Sequence, residues 1–307
     1  MVVQRKTDME GKEKIKGEWL ALLHAVLWAF FPIIMVVSYA KLPSLVSLAW
    51  GTMFAAIVFA GIISYRRKWN ELKNLLLWKY GCYIALSIGV IFYGLYFIGL
   101  EFTTAGNVAI LGQFEVFTSF FLFNVLRREI MSLEYKIGAV LMVLGAVIVL
   151  GRDFTHFNIG DFLILIGTFA TPLGNLYQQK ARMIASSESI MFLRSALSAP
   201  PIFLLAYLFY GNTPIEQVYG SLPILLLSGI LFLGLSKVVW IESVHRISVT
   251  KAIALSSVAP LITLFLAWPT LHQTPNIWQF TSLVPMFLGV LLLTDNLKLK
   301  RLHSRVS

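Results

Sequence analysis

The sequence predicts an all-α integral membrane protein with ten transmembrane helices in two inverted five-helix repeats. Three observations lead to this fold class. Hydrophobic residues make up 58% of the 307 residues and charged residues only 13%, which is about half the charged fraction of a soluble domain. Apolar runs long enough to cross a bilayer recur along the whole chain. Similar short segments also occur in both of its halves.

Five apolar stretches follow one another in the first half of the chain. Each is long enough for an α-helix to cross the hydrocarbon core, which takes about 20 residues. They comprise residues 18–40, 42–65, 80–100, 104–126 and 132–150. Residues 1–17 are charged and no cleavage site follows the first stretch, so we expect a retained cytoplasmic tail rather than a signal peptide. Residues 18–151 then form the first repeat.

The second half reproduces this count after a polar linker at residues 152–160. Its five spans comprise residues 161–179, 189–210, 222–243, 250–271 and 278–294. The second repeat therefore occupies residues 161–297, and residues 298–307 form another cytoplasmic tail. Pro32 and Pro172 lie at comparable depths of the first and sixth spans. Because each removes a backbone hydrogen bond, we expect these two helices to bend beside a cavity.

The placement of basic residues predicts an orientation in the cell membrane. Cytoplasmic loops carry an excess of Lys and Arg, and nearly all of the 25 basic residues fall in alternate connections or in the two tails. The exceptions are Lys41, Arg152, Arg194 and Lys237. Both termini are therefore expected in the cytoplasm. The formal charge of +10 reflects orientation and lipid contact, so we expect no nucleic-acid partner.

Short segments of the first half recur in the second. Residues 89–95 (GVIFYGL) correspond to residues 229–235 (GILFLGL), and Gly145 before an apolar run corresponds to Gly289. A unit with five crossings begins and ends on opposite sides of the membrane, so its second copy enters from the other side. The two halves are therefore predicted to be related by inversion. Inverted repeats are typical of alternating-access carriers, which bind substrate between the halves near the midplane.

Several motifs carry a resemblance to a known family. They are residues 27–32 (LWAFFP), 103–107 (TTAGN), 113–117 (QFEVF), 127–129 (RRE), 246–252 (RISVTKA) and 257–261 (SVAPL). Together they resemble the drug/metabolite transporter superfamily, specifically its ten-helix branch with two EamA domains. The resemblance implies secondary transport without ATP, commonly efflux, of small organic metabolites such as amino acids or drugs.

Glu115 is the first candidate for a substrate-binding residue. It lies near the middle of the predicted fourth span, where a carboxylate costs about 2.5 to 3.5 kcal/mol on insertion scales. Its helical neighbours Gly112, Thr118 and Ser119 suit a cavity better than lipid. Glu115 is therefore expected to bind a substrate ammonium or to carry a coupling proton. The alternative is a structural hydrogen bond to another polar group.

Six further residues are candidates for the same binding site. Lys237 is a buried-charge candidate in the eighth span that would favour a carboxylate, although its long stem also allows the ammonium to snorkel to the interface. The others are deep aromatic or amide side chains that suit an amphipathic ligand. They are Trp28, Tyr93, Tyr96, Asn175 and Gln178. Arg194 is given no strong role, with snorkelling or an ion pair to Glu188 as the expected explanation.

The expected activity is export of amino acids or related zwitterions by an alternating-access carrier. The alternative within transport is proton-coupled efflux of cationic or aromatic drugs through Glu115. No enzyme is expected, because the five histidines are scattered and no nucleotide-binding loop is present. A channel is disfavoured because no filter-like segment occurs. We expect no cofactor and no metal, with a small-molecule substrate and the lipid bilayer as partners. Monomer and homodimer both stay open.

Overall fold

A computed structural model describes residues 2–122, 132–150, 158–247 and 249–293. Regular structure over these residues is entirely helical. Within the described ranges, eight helical segments are long and apolar enough to cross a membrane, and Ile277–Leu293 is apolar but shorter. The prediction of an all-α membrane protein with many spans is therefore confirmed, whereas the count of ten and the inversion of the halves stay predictions.

We label the helices α1 to α14 in chain order. They are α1 (Val2–Tyr39), α2 (Ser44–Tyr65), α3 (Leu75–Glu101), α4 (Ala105–Gly112), α5 (Glu115–Phe120), α6 (Leu133–Leu150), α7 (Ile159–Gly167), α8 (Thr171–Arg182), α9 (Ser187–Tyr210), α10 (Ile215–Gly220), α11 (Leu222–Arg246), α12 (Val249–Ser256), α13 (Ala259–Leu271) and α14 (Ile277–Leu293). A 3₁₀ turn, Trp69–Lys73, joins α2 to α3.

Several helix boundaries differ from the predicted ones. α1 continues through the predicted tail, where helix-forming Lys and Glu residues alternate. The predicted fourth span is two short helices, α4 and α5, and its residues from 123 onward lie outside the described part of the chain. α7 begins before the predicted residue 161, because the side chain of Asn158 caps it by accepting from the amide of Gly160 at 2.8 Å. The tail 298–307 and most of the linker also lie outside the described residues.

Two spans of the second half are interrupted near their centres. The sixth breaks between α7 and α8 and the ninth between α12 and α13, with Pro172 and Pro260 in the first turns of the following helices. Proline is favoured there because the first amides of a helix have no intrahelical acceptor. The break exposes the Thr168 carbonyl, which accepts from Thr118 Oγ1 at 2.8 Å. Pro32, in contrast, lies within the continuous α1.

The third and eighth spans each contain a π-helical segment. These segments are Ala85–Phe92 in α3 and Ser228–Leu235 in α11, and they overlap the segments that the sequence aligns between the halves. π-Helical turns leave carbonyls outside the regular i to i−4 pattern and are frequent at functional sites. In α11, the Leu233 carbonyl accepts from Arg194 Nη2 at 2.5 Å.

Helices of the two halves pack against one another in matching pairs. α1 of the first span packs along α11 of the eighth, and α7 and α8 of the sixth pack along α3 of the third. The second and seventh spans, α2 and α9, lie side by side, as do α6 and α14. Aromatic side chains such as Phe31, Tyr93 and Phe97 fill the core between them. This packing leaves the central space between the halves rather than within either one.

Ionic contacts gather at one end of the bundle. Glu188 at the start of α9 pairs with Arg66 and with Lys68, the latter at 3.4 Å. Glu242 near the end of α11 pairs with Arg182 at 3.1 Å and with Arg246 at 2.5 Å. The connections that the sequence assigns to the cytoplasm therefore meet at the same end of the bundle.

Glu71, in the 3₁₀ turn after α2, holds the start of α9 in the other half. Its Oε2 accepts from the amide and the hydroxyl of Ser186, both at 2.8 Å. Burial raises the pKa of this carboxyl, but the hydrogen bonds from Ser186 and Ser189 and the charge of Lys68 outweigh burial and leave the pKa below its ordinary value. The carboxylate form therefore stabilises the fold.

We expect Glu71→Gln to reduce stability by about 1 kcal/mol at neutral pH, as for a lost helix cap. The contribution is fully present above the unfolded-state pKa and is lost as the pH falls through the lower folded-state pKa. Thermal melts in detergent at several pH values measure it. Glu216→Gln is the matched control because Glu216 is exposed. Equal melting temperatures for the two variants at neutral pH would contradict the role given to Glu71.

Candidate functional site

A cavity of about 100 Å³ lies in the central space between the two halves. Since one water needs about 10–15 Å³ of such space, several waters or one small solute fit. It is lined by side chains of both halves: His24, Trp28, Ile88, Phe92, Tyr93, Tyr96, Ala109, Gly112, Gln113, Glu115, Val116, Thr171, Asn175, Gln178, Arg194, Lys237, Trp240, Ile253 and Ser256. The structure brings all seven sequence-predicted residues together here. Sequence reasoning did not select His24, Arg194 or Trp240.

Glu115 lies on the wall formed by the first half. It is the first residue of α5, directly after the break in the fourth span, and its Oε1 accepts from Asn175 Nδ2 of α8 at 2.5 Å. Thr118, one turn further on, ties the same helix to the break in the sixth span. Two interrupted spans therefore place a carboxylate and an amide on the cavity wall, and Lys237 lines the same cavity.

Lys237 points into the cavity rather than to the membrane surface. Its Nζ lies 3.2 Å from the centroid of the Trp28 ring and 3.4 Å from His24 Nε2. An ammonium over an aromatic face is stabilised by the negative charge of the ring face. The snorkelling alternative is therefore not what the structure shows, because Trp28 and His24 of α1 hold the ammonium at the cavity.

Arg194 of α9 is also a cavity residue, with a relative exposure of only 3%. Its guanidinium carbon lies 5.6 Å from the centroid of Tyr93, and its Nη2 donates to the Leu233 carbonyl. Its Nη1 is buried without a hydrogen-bond partner in the described part of the chain. The expected ion pair with Glu188 is wrong, because Glu188 pairs with Arg66 and Lys68 instead. The same signal that selected Glu115, an ionisable residue in an apolar run, was present for Arg194.

The aromatic side chains of Trp28, Phe92, Tyr93 and Tyr96 form one side of the cavity, which we call its floor. Trp28 stacks on Phe31 with centroids 4.6 Å apart and approaches Tyr96 at 6.0 Å. Tyr93 and Tyr96 line the cavity but are each only 2% exposed, so their rings pack mostly against other side chains. Gln178 is likewise buried, and its Oε1 has no partner among the described residues. The cavity thus combines an apolar floor with a few convergent polar groups, as small-molecule sites do.

A second cavity adjoins the site on the side of the basic end of the bundle. It has a volume of about 330 Å³ and lies between α8 and α11, where Gln178 lines both cavities. Arg182 and His245 line it further out and also border an open crevice of about 720 Å³. Arg182 also forms an ion pair with Glu242.

Polar contacts between the halves close the opposite end. Asn107 Nδ2 donates to both carboxylate oxygens of Asp161, at 3.2 and 3.0 Å, and Gln279 Nε2 donates to Asn107 Oδ1 at 2.8 Å. Nearby, Tyr210 of α9 donates to Glu101 of α3. In the described ranges no group of three or more His, Cys, Asp or Glu could hold a metal ion.

Comparison with known proteins bears on both halves of the chain. The model of the EamA-like transporter family matches residues 15–151 and 158–295. The Bacillus subtilis (strain 168) protein named uncharacterized transporter YoaV is 21% identical over 276 residues, which are 87% of this chain and 90% of that protein. The Synechocystis protein named uncharacterized transporter sll1164 is 27% identical over 226 residues, 67% of this chain and 62% of that protein.

A solved crystal structure shares the fold. It superposes with a TM-score of 0.63 over 93% of this chain and 97% of its own, at 14% sequence identity. Identity at this level supports the shared fold alone.

Proposed function

Because this chain belongs to the EamA-like transporter family, we propose that it is an alternating-access carrier that exports a small zwitterionic metabolite such as an amino acid. The observation that carries the proposal is the central cavity. Glu115 lies on a wall formed by one half and Lys237 on a wall formed by the other. Opposite charges on opposite walls suit a solute that bears both an ammonium and a carboxylate.

The substrate ammonium binds Glu115 in this proposal, and the substrate carboxylate binds Lys237. Asn175 donates to Glu115 and keeps the carboxylate directed at the cavity. The side chains of Trp28, Tyr93 and Tyr96 that line the cavity contact the apolar part of the solute. Gln178 supplies an unpaired carbonyl oxygen to a donor of the solute. No cofactor takes part in this scheme.

In this proposal the two halves are related by inversion, and this relationship allows alternating access. Its support is the matching packing of corresponding spans and the π-helical segments at corresponding places. Polar contacts join the halves at both ends of the bundle. Because charged and hydrogen-bonded groups can exchange partners, such contacts serve as closures that open at one end at a time.

Export is proposed because the adjoining cavities lead from Gln178 towards the basic end. The positive-inside rule assigns that end, with both termini, to the cytoplasm of a cell-membrane protein. Substrate therefore enters from the cytoplasm along α8 and α11. The Arg182–Glu242 pair closes this route when the carrier turns outward.

A second candidate is proton-coupled efflux of cationic or aromatic drugs. The aromatic floor of Trp28, Phe92, Tyr93 and Tyr96 favours it, because ring faces attract flat and cationic molecules. In that case Glu115 exchanges a proton for the drug.

Transport by the purified protein in proteoliposomes tests these proposals. A panel of radiolabelled amino acids and organic cations is measured with and without a pH gradient, and protein-free liposomes are the control. We expect saturable amino-acid efflux that unlabelled amino acid on the opposite side accelerates, because a carrier returns faster when loaded. Movement of organic cations alone, driven by the pH gradient, would favour the second candidate. Unsaturable flux would contradict a carrier.

A further inference from the structure

The described walls of the cavity hold more positive than negative charge. Arg194 and Lys237 are cations, whereas Glu115 is the only carboxylate among the lining residues. His24 lies beside the Lys237 ammonium, with Nε2 3.4 Å from Nζ, and repulsion by that charge favours the neutral ring. Glu115 balances one cation and leaves the other without a counter-ion.

Arg194 is the cation whose bonding is incomplete. Its Nη2 binds the Leu233 carbonyl and its face covers Tyr93, while Nη1 has no partner in the described part of the chain. Only 3% of the surface of Arg194 is exposed. A buried charge and an unmade hydrogen bond are both costly in a membrane protein. An anionic group bound at Nη1 makes the missing hydrogen bond and offsets part of the cost of the buried charge.

We propose that the substrate carries net charge −1, as an acidic zwitterion with one ammonium and two carboxylates, and that Arg194 binds the second carboxylate. This inference rests on the proposed function and narrows its substrate class. Each ionised group then has an opposite charge in the cavity: Glu115 for the ammonium, Lys237 for one carboxylate and Arg194 for the other. The loaded cavity is electrically neutral, which favours its passage through the membrane interior.

Two kinds of anion would satisfy Arg194. One is the second carboxylate of the substrate, and the other is an inorganic anion such as chloride that accompanies a neutral zwitterion. The proposal assigns this role to the substrate. Transport of a neutral zwitterion that requires chloride would overturn that assignment.

Isosteric substrate pairs provide the test. Glutamate and glutamine, or aspartate and asparagine, are nearly equal in size and differ by one negative charge. In proteoliposomes with the parent protein, we expect kcat/KM for the acid to exceed that for the amide by about tenfold or more, in chloride and in gluconate alike. Equal values for acid and amide would overturn the inference, whether or not the variants described next fold.

Two variants then locate the selectivity. Arg194→Gln should abolish the preference for the acid, and Arg194→Lys, which keeps the charge, should retain most of it. Size-exclusion profiles and melting temperatures show whether each variant folds. If Arg194→Gln does not fold, Lys237→Met supplies a different readout, because it removes the partner of the carboxylate that acid and amide share: kcat/KM should fall for both substrates while Arg194 still favours the acid. A preference that survives Arg194→Gln, or that disappears in Lys237→Met, would contradict the assignment.

Failure of this inference is distinguishable from failure of the proposed function. If neutral amino acids are carried and acidic ones are not preferred, the carrier proposal stands and the net charge of −1 is wrong. If no member of the wider panel is carried, the proposed function itself fails and the inference fails with it.

Discussion

Transport of an amine-bearing solute is expected to fall about 30-fold or more in kcat/KM when Glu115 is replaced by glutamine. Removing one member of a buried charge pair costs about 2–5 kcal/mol, and each 1.4 kcal/mol is a factor of about ten. Glutamine keeps an acceptor for Asn175 Nδ2, which lies 2.5 Å from Glu115 Oε1. The variant is therefore expected to fold and to lose the charge alone.

A pH gradient separates the two roles proposed for Glu115. If the gradient drives transport by the parent but not by Glu115→Gln, Glu115 carries the coupling proton. If the gradient drives neither protein while the parent binds and moves substrate, Glu115 binds the ammonium without coupling. Glu216→Gln, an exposed carboxylate outside the cavity, is the control. Equal transport by the parent and Glu115→Gln would make Glu115 a structural residue.

Replacing Gly229 with alanine is expected to destabilise the protein by about 1–3 kcal/mol, the usual cost of overpacking. A Cβ at Gly229 would lie 2.4 Å from the carbonyl oxygen of Gly51 and 3.2 Å from its Cα. These are backbone atoms of α2, so α11 must move away as a whole. α11 also carries Lys237 and the Leu233 carbonyl that binds Arg194. Transport should therefore fall together with the melting temperature.

Gly61→Ala is the matched control, because Gly61 lies on α2, the helix that Gly229 approaches. No atom lies within 4 Å of a Cβ at Gly61, and alanine is the better helix former by about 0.5–1 kcal/mol. Melting temperatures in detergent should fall for Gly229→Ala and stay equal or rise for Gly61→Ala. If both variants melt like the parent, the close approach of α2 and α11 is not important for stability.

The sequence located much of the candidate site through the cost of polar groups in lipid. That rule selected Glu115 and Lys237, because an ionisable side chain within an apolar span needs a cavity or a partner. Arg194 is also an ionisable side chain within an apolar span, but its long stem near a helix end allows snorkelling as a second interpretation. Whether such a side chain reaches the interface depends on helix rotation, and rotation is set by neighbouring helices.

The interrupted spans were only partly predictable. Pro172 and Pro260 marked two of the breaks, because proline disrupts the helical hydrogen-bond pattern. The break before Glu115 follows no proline, since residues 112–114 are Gly, Gln and Phe. The π-helical segments of α3 and α11 likewise coincide with recurring glycines but have no recognisable sequence signal of their own. Tertiary contacts help to stabilise such features: Thr118 donates to the Thr168 carbonyl at the break in the sixth span, and Arg194 donates to the Leu233 carbonyl in the π-helical segment of α11.

The sequence by itself determined that this chain is a helical membrane protein, where its apolar spans lie and which connections are basic. Those properties depend on the local balance between lipid and water, which composition reports directly. Only the tertiary structure decided which buried polar groups meet. The Asn175–Glu115 contact joins residues 60 positions apart and the Arg194–Leu233 contact residues 39 apart. Such meetings depend on how helices distant in the chain rotate and pack, and no local property of the sequence specifies that.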